Sequence, residues 1–208
     1  MAVWTLSAQQ GTSGRHIAEL LAIAADVPLY DGKSLASLDV DPTVAMLDFD
    51  ELERRFSRLN LAGLAFASGA GMPEAIAERA RFQNLSDMAH TVVDRAAHTP
   101  CVIYLAGAFA VARDFPNAVH ARIRAPFHWR VANYQREHLL DRHDAEKGIK
   151  CDDRLQHSWV RTLWRLDPDD DSNYTTVLDA SRLPDDRIVM ILLDAAGIAR
   201  KPAHAGDL

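Results

Sequence analysis

Val3-Trp4-Thr5-Leu6-Ser7-Ala8-Gln9-Gln10-Gly11-Thr12-Ser13-Gly14-Arg15-His16-Ile17-Ala18 decides how this chain is read. It is a short apolar strand, then a small polar loop with two glycines, then the start of a helix. Ile17, Leu20, Leu21 and Ala24 follow at helical spacing, so one face of that helix packs inward. A strand turning tightly into a helix aims free backbone N–H groups and the positive end of the helix dipole at one point, and that point suits a phosphate. No Lys follows Gly14, and Ala8 stands where the first glycine of G-x-x-x-x-G-K-[ST] belongs. Arg15 is the cation of the loop. In a first helical turn it opposes the dipole unless an anion is near, the other reading being an exposed Arg reaching a distant carboxylate. His16 reads as a surface helix residue.

Outward from this stretch, strands alternate with helices. Cys101-Val102-Ile103-Tyr104-Leu105-Ala106 is nearly all apolar, as in a parallel strand buried on both faces. Val119, Ala121 and Ile123 alternate with His120, Arg122 and Arg124, which predicts a strand with one polar side. Thr175-Thr176-Val177-Leu178 ends a fourth strand at Asp179, and Pro28-Leu29-Tyr30 adds a short fifth. Leu85, Met88, Ala89, Val92, Val93 and Ala96 mark a helix stopped by Thr99-Pro100. Ile188, Val189, Ile191, Leu192 and Ala195 mark a last helix ending near Gly197. The expectation is one α/β domain over residues 1–200, a doubly wound parallel sheet of about five strands flanked by helices. Its ligands bind beyond the carboxyl ends of the strands. Residues 35–98 read as a helical insertion, a cap over the site or a dimer contact, and 201–208 as a frayed tail.

Composition narrows the function classes. At 208 residues, with 48% hydrophobic and 25% charged, the chain matches one globular domain of ordinary size. A formal charge of -6 argues against broad nucleic-acid binding. No apolar run approaches the roughly 20 residues that span a bilayer. Cys101 and Cys151 form no disulfide framework, and without a signal-peptide pattern the expectation is a cytoplasmic protein. They have no C-x-x-C partner for zinc either.

The basic residues are unevenly placed. Between His120 and Arg165 stand Arg122, Arg124, Arg130, Arg136, Arg142, Lys147, Lys150, Arg154, Arg161 and Arg165, along with five of the nine histidines. They read as an arginine-rich lid over residues 141–171, open without ligand and clamping phosphoryl oxygens with planar forks when closed. A solvated helix face of i,i+4 pairs is the blander reading. Asp167-Pro168-Asp169-Asp170-Asp171-Ser172-Asn173 spaces oxygens as a calcium loop does. It has Ser172 where that loop needs Gly and Leu178 where it needs Glu, so it reads as a solvated acidic turn. No residue is assigned as a metal ligand.

The order of these segments resembles the cytidylate kinase-like family, a branch of the P-loop nucleoside monophosphate kinases. The resemblance is carried by T-L-S-x-x-x-G-T-S-G-R-H-I-A-E-L-L-A from Thr5, then Val27-Pro28-Leu29-Tyr30-Asp31. Cys101 to Gly107 resembles the second core strand with its glycine, and Val119 to Arg130 the next strand with an arginine-bearing helix start. Asp144 to Ile149 with Asp152-Asp153-Arg154 resembles the start of the lid, and Asn173 to Ser181 the strand that closes the sheet.

The resemblance implies a nucleotide ligand, with ATP and Mg²⁺, and transfer of a phosphoryl group to a nucleoside monophosphate or similar small acceptor. It implies Ser7, Gly11, Thr12, Ser13, Gly14, Arg15 and Arg161 as nucleotide-binding residues. Arg15, Arg130, Asp153 and Arg154 would be the catalytic set, with Asp153 orienting lid arginines or acting through the metal. A homodimer fits as well. The chain departs from the kinases at several positions. Gly14 fills the slot of the phosphate-bridging Lys and Arg15 that of the metal-holding hydroxyl. The branch itself often shows Gly-Gly-Arg, which Arg15 matches while Ser13 replaces a Gly. Ala108 stands for a strand-end Arg, Ala106 for an acid, and Gln156 for the Arg of a lid Asp-x-x-Arg. These departures lead to the second expectation, a catalytically silent nucleotide- or phosphate-binding regulatory protein acting through a partner.

Overall fold

The computed structural model describes residues 2–31, 93–94 and 97–197. Most of the expected insertion at 35–98, and the tail at 201–208, lie outside the described residues. Five strands form one sheet in the order β2-β3-β1-β4-β5. They are β1 (Val3–Ala8), β2 (Leu29–Asp31), β3 (Cys101–Tyr104), β4 (Ala118–Arg124) and β5 (Thr176–Asp179). Every pairing is parallel, with Thr5 of β1 opposite Ile103 on one side and His120 on the other. The doubly wound sheet read from the sequence is present, with strand limits shifted by a residue or two.

β1 is central and all six of its residues are buried. Its period of two divides them between two helical layers. Trp4, Leu6 and Ala8 pack against helix α1 (Gly14–Ala25) and the last helix (Asp185–Ala195), through Ile17, Leu21, Ile188 and Leu192. The indole N–H of Trp4 donates to the Leu192 carbonyl at 2.8 Å, so this large ring is buried with its polar atom satisfied. On the other face Val3 joins Cys101, Ile103, Phe109, Trp159, Val160, Val93 and Ala97. Burial pushes the Cys101 thiol up to about 12, which makes it an inert core group.

The polar side expected of β4 exists but is turned inward. His120 bonds the Thr5 hydroxyl at 2.8 Å, and Arg122 reaches Asp169 at 3.0 Å. Three helices come between β3 and β5: α2 (Ala108–Val111), α3 (Phe127–His138) and α4 (Arg142–Trp164). Asp141 caps α4 by accepting from the Asp144 amide at 2.8 Å. The 23 residues of α4 make a rod about 35 Å long at 1.5 Å per residue. The helix Asp185–Ala195 is labelled α5. No helix among the described residues is long and apolar enough to cross a membrane.

Candidate functional site

The site is the crossing from β1 to α1, where β1 has β3 on one side and β4 on the other. Connections leave in opposite directions at such a point and open a crevice. Gln9 continues the ladder through its amide to the Ile123 carbonyl at 2.9 Å, and then the chain turns. Two glycines let it turn. Gly11 has φ +84°, and a Cβ there would lie 2.6 Å from the Arg130 carbonyl oxygen. At Gly14 a Cβ would lie 2.2 Å from the Ala8 side chain, so the slot of the usual lysine has no room for one. Ser13, in the left-handed region at φ 55°, starts α1.

Four consecutive loop carbonyls are each held from behind by a side chain. Gln156 donates to Ala8 at 3.2 Å, Thr12 to Gln9 at 2.6 Å, Arg130 to Gln10 at 3.1 Å and Asn133 to Gly11 at 3.1 Å. With the carbonyls engaged, the amides of Gly11, Ser13, Gly14, Arg15 and His16 have no acceptor among the described residues. Thr12 is the exception in the stretch, its N–H turned back to the Gln9 carbonyl at 3.2 Å. Successive N–H groups left free at a helix start form an anion-binding concavity.

A cavity of about 600 Å³ opens over the loop, a volume suited to a nucleotide-sized ligand. Gly11, Ser13, Gly14 and Arg15 line it, together with Asp31, Ala106, Glu137 and Asp152. Arg15 is 61% exposed and bridges Glu19 at 3.1 Å and Asp31 at 3.0 Å. Burial works against its charge, yet these two carboxylates outweigh it and raise its pKa. Asp152 is pushed up to about 6, chiefly by burial and then by the neighbouring Asp153 charge, with His138 opposing.

The other residues singled out from the sequence lie elsewhere. Arg130 is 5% exposed and sits behind the loop. Its two terminal nitrogens meet the two Asp153 oxygens at 2.9 Å each, so Asp153 does orient an arginine, but one that supports the loop. Arg154 is exposed, outside the cavity wall, and has no ion pair or hydrogen bond among the described residues. Arg161 pairs with Asp167 at 3.2 Å. Ser7 is buried on the far face of β1 beside the Tyr174 hydroxyl, and Thr12 is fully buried.

The expected lid segment is mostly α4, which packs Ile149, Leu155, Trp159 and Val160 inward. Its basic neighbourhood is neutralised by the acidic turn. Arg122, Arg124 and Arg161 bond Asp169, Asp171 and Asp167, and His157 meets Asp169 at 2.8 Å. His157, Asp167 and Asp169 bring ligand atoms within 4.8 Å of one another, but arginines already balance both carboxylates. The turn is thus a counter-charge to β4 and α4 more than a solvated loop. Gly107 has its own constraint, with φ +88° and the Trp164 ring 2.1 Å from where a Cβ would stand. Next to it Ala108 is fully buried, where an Arg would find no space.

Sequence reasoning missed Asn133, Glu137, Gln156, Asp31 and Asp152. A signal was available for the first two. Arg130, Asn133 and Glu137 recur at i, i+3 and i+7, a polar stripe on the α3 face that meets the loop. Asn133 Nδ2 is within hydrogen-bond distance of Ser13 Oγ and Glu137 as well as of the Gly11 carbonyl, its two N–H groups shared among three acceptors, and Arg136 donates to its side-chain oxygen Oδ1.

The parallel five-stranded sheet flanked by helices agrees with known proteins. The model of the cytidylate kinase-like family matches residues 3–182. The chain belongs to the cytidylate kinase-like family. This is a kinase-like, nucleotide-binding family. A similar solved structure is that of an uncharacterized protein from Eubacterium ventriosum, 16% identical, with a TM-score of 0.70 over 94% of this chain and 98% of that one. A gluconokinase from Sinorhizobium meliloti is 12% identical, with a TM-score of 0.50 over 94% and 91%. At these identities both likenesses concern the fold. No curated protein matches the sequence significantly.

Proposed function

We propose that this family member binds a nucleoside triphosphate on the Gly11–His16 amides and transfers its terminal phosphoryl group slowly to a nucleoside monophosphate or similar small acceptor. The observation that carries the reading is the row of four held carbonyls, Ala8 to Gly11, which leaves the loop's N–H groups for a ligand. An anion site built in advance does not have to be reorganised when the charge arrives.

Arg15 is the cation placed to meet the phosphates. Its bonds to Glu19 and Asp31 are partly exposed, and such pairs are worth about 0–1 kcal/mol. A bidentate contact to phosphate is stronger, so the exchange favours the ligand. Arg130 and Asp153 act by holding the loop in shape. Mg²⁺ fits the donor set, because hard carboxylate oxygens face the same cavity as the amides and Mg²⁺ is held by one or two carboxylates plus phosphate oxygens. When bound, it would neutralise charge on the transferred group. Without the loop lysine, one charged contact worth about 10²–10³ in rate is missing. From the usual 1–100 s⁻¹ of kinases this leaves turnover on the order of 0.001–1 s⁻¹.

The second reading is a catalytically silent binder that works through a partner. It is favoured by one observation, that Arg130, expected in the catalytic set, and Arg161, expected to bind the nucleotide, are engaged by Asp153 and Asp167. A coupled assay of the purified chain with ATP, Mg²⁺ and each of CMP, dCMP, UMP and AMP separates the two, with Arg15→Ala as control. Turnover abolished by Arg15→Ala supports the kinase. Binding without turnover, lost in the same variant, supports the silent binder. No binding refutes both.

A further inference from the structure

A nucleotide that arrives with a divalent cation needs a protein group to hold the cation, and the loop has no hydroxyl to give. Arg15 stands in the usual hydroxyl slot. The Thr12 hydroxyl is buried and donates to Gln9 at 2.6 Å. The Ser13 hydroxyl donates to Glu137 at 2.6 Å and accepts from Asn133 at 3.0 Å. The cation must therefore be sought among the carboxylates of the cavity wall, which among the described residues are Glu19, Asp31, Glu137 and Asp152.

Three of the four are already engaged. Glu19 and Asp31 hold Arg15, and Glu137 holds Ser13 and Asn133. Asp152 has no hydrogen bond or ion pair among the described residues. Its helical turn is pinned to the loop by two neighbours. Asp153 is locked to Arg130, and Gln156 donates to the Ala8 carbonyl. A half-buried carboxylate with no hydrogen bond or ion pair, facing His138 across the cavity that the loop amides also line, is a hard oxygen ligand of the kind Mg²⁺ and Mn²⁺ take together with phosphate oxygens.

We infer that Asp152 anchors the divalent cation accompanying the nucleotide, taking over on α4 the role of the hydroxyl that the loop lacks. The inference rests on the reading that the loop holds the phosphates. It goes beyond that reading by moving the metal contact from the loop to the helix facing it. It also sets Asp152 apart from Asp153, which supports the loop and touches no ligand.

The test uses Mn²⁺ as a paramagnetic probe, titrated by electron paramagnetic resonance into the full chain with ADP. ADP binding is measured separately in EDTA. Asp152→Asn is the main variant and Glu137→Gln tests the rival cavity carboxylate, each checked for its circular dichroism. The expected result is a 10–100-fold loss of Mn²⁺ affinity in the ADP complex of Asp152→Asn. Its ADP affinity in EDTA should be unchanged or slightly higher, since a negative charge has left the cavity. Unchanged Mn²⁺ affinity in Asp152→Asn, or a loss that appears in Glu137→Gln instead, overturns the assignment while leaving nucleotide binding in place. Absence of ADP binding by the wild-type chain in EDTA overturns the phosphate-loop reading, and this inference with it.

Discussion

Arg130 and Asp153 meet fork to fork, two bonds of 2.9 Å, while the same guanidinium also donates to the Gln10 carbonyl. The pair ties together three parts of the molecule: the loop after β1, helix α3 and helix α4. Its arginine is nearly inaccessible, so it can neither leave Asp153 cheaply nor reach a ligand in the cavity.

Removing one partner of such a pair leaves a buried charge unmet. Arg130→Ala or Asp153→Ala is expected to destabilise the fold by about 3–5 kcal/mol, and the double variant by much less than the sum. Urea denaturation of the four proteins measures the coupling. Arg130→Lys keeps the charge but not the fork, and should recover only part of the loss. An arginine acting directly on phosphate would give the opposite pattern, with weakened nucleotide binding and unchanged stability.

His120 sets an acid limit. Burial, and then the charge of Arg113, lower its pKa below the usual value, so the folded state favours the neutral ring that bonds Thr5. The unfolded chain takes up a proton near pH 6.5 and the folded chain only at lower pH. The stability His120 contributes is therefore complete above pH 6.5 and lost as pH falls from there through the folded pKa. Thermal melts between pH 7.5 and 5 should fall more steeply for the wild type than for His120→Gln. Parallel curves would contradict this.

Asp152 works in the other direction. Its carboxyl, near 6 in the fold against 3.8 ordinarily, disfavours the folded state wherever it must ionise. The cost grows from about pH 4 and is complete above pH 6. Without metal or nucleotide, Asp152→Asn should be more stable than the wild type at pH 7.5, by on the order of 1 kcal/mol after allowance for partial exposure. The advantage should vanish by pH 4. A group kept at a cost to stability is what a ligand-binding residue looks like. A variant less stable than the wild type at pH 7.5 would show that Asp152 has a structural partner.

The fold was legible because its signals are local. β1, β3 and the helix spacing of Ile17, Leu21, Ile188 and Leu192 can be read along the chain, and their order leaves little choice of topology. The alternation in β4 was also visible, but not its meaning. His120 and Arg122 look like a solvent-facing side until Thr5 and Asp169 are brought against them. The same limit applied at the site. Gly11, Gly14 and Arg15 mark the tight turn from β1 into α1, whereas the groups that hold it, Arg130, Asn133 and Gln156, lie more than a hundred residues away. Arg130 read as a ligand clamp because its partner one helix later is invisible in the sequence. The acidic turn read as solvated because ion pairs across 47 residues leave no periodicity.

The free amides of the loop can be watched directly. In ¹H–¹⁵N correlation spectra of the full chain, titration with ADP in EDTA should shift the signals of Gly11, Ser13, Gly14, Arg15 and His16 downfield, as N–H groups that gain a phosphate acceptor. Thr12, already bonded to Gln9, should move less. Inorganic phosphate should move the same set more weakly. If these five amides stay in place at saturating ADP, or if the shifts gather around Arg154 and Arg161 instead, the loop is not the phosphate site.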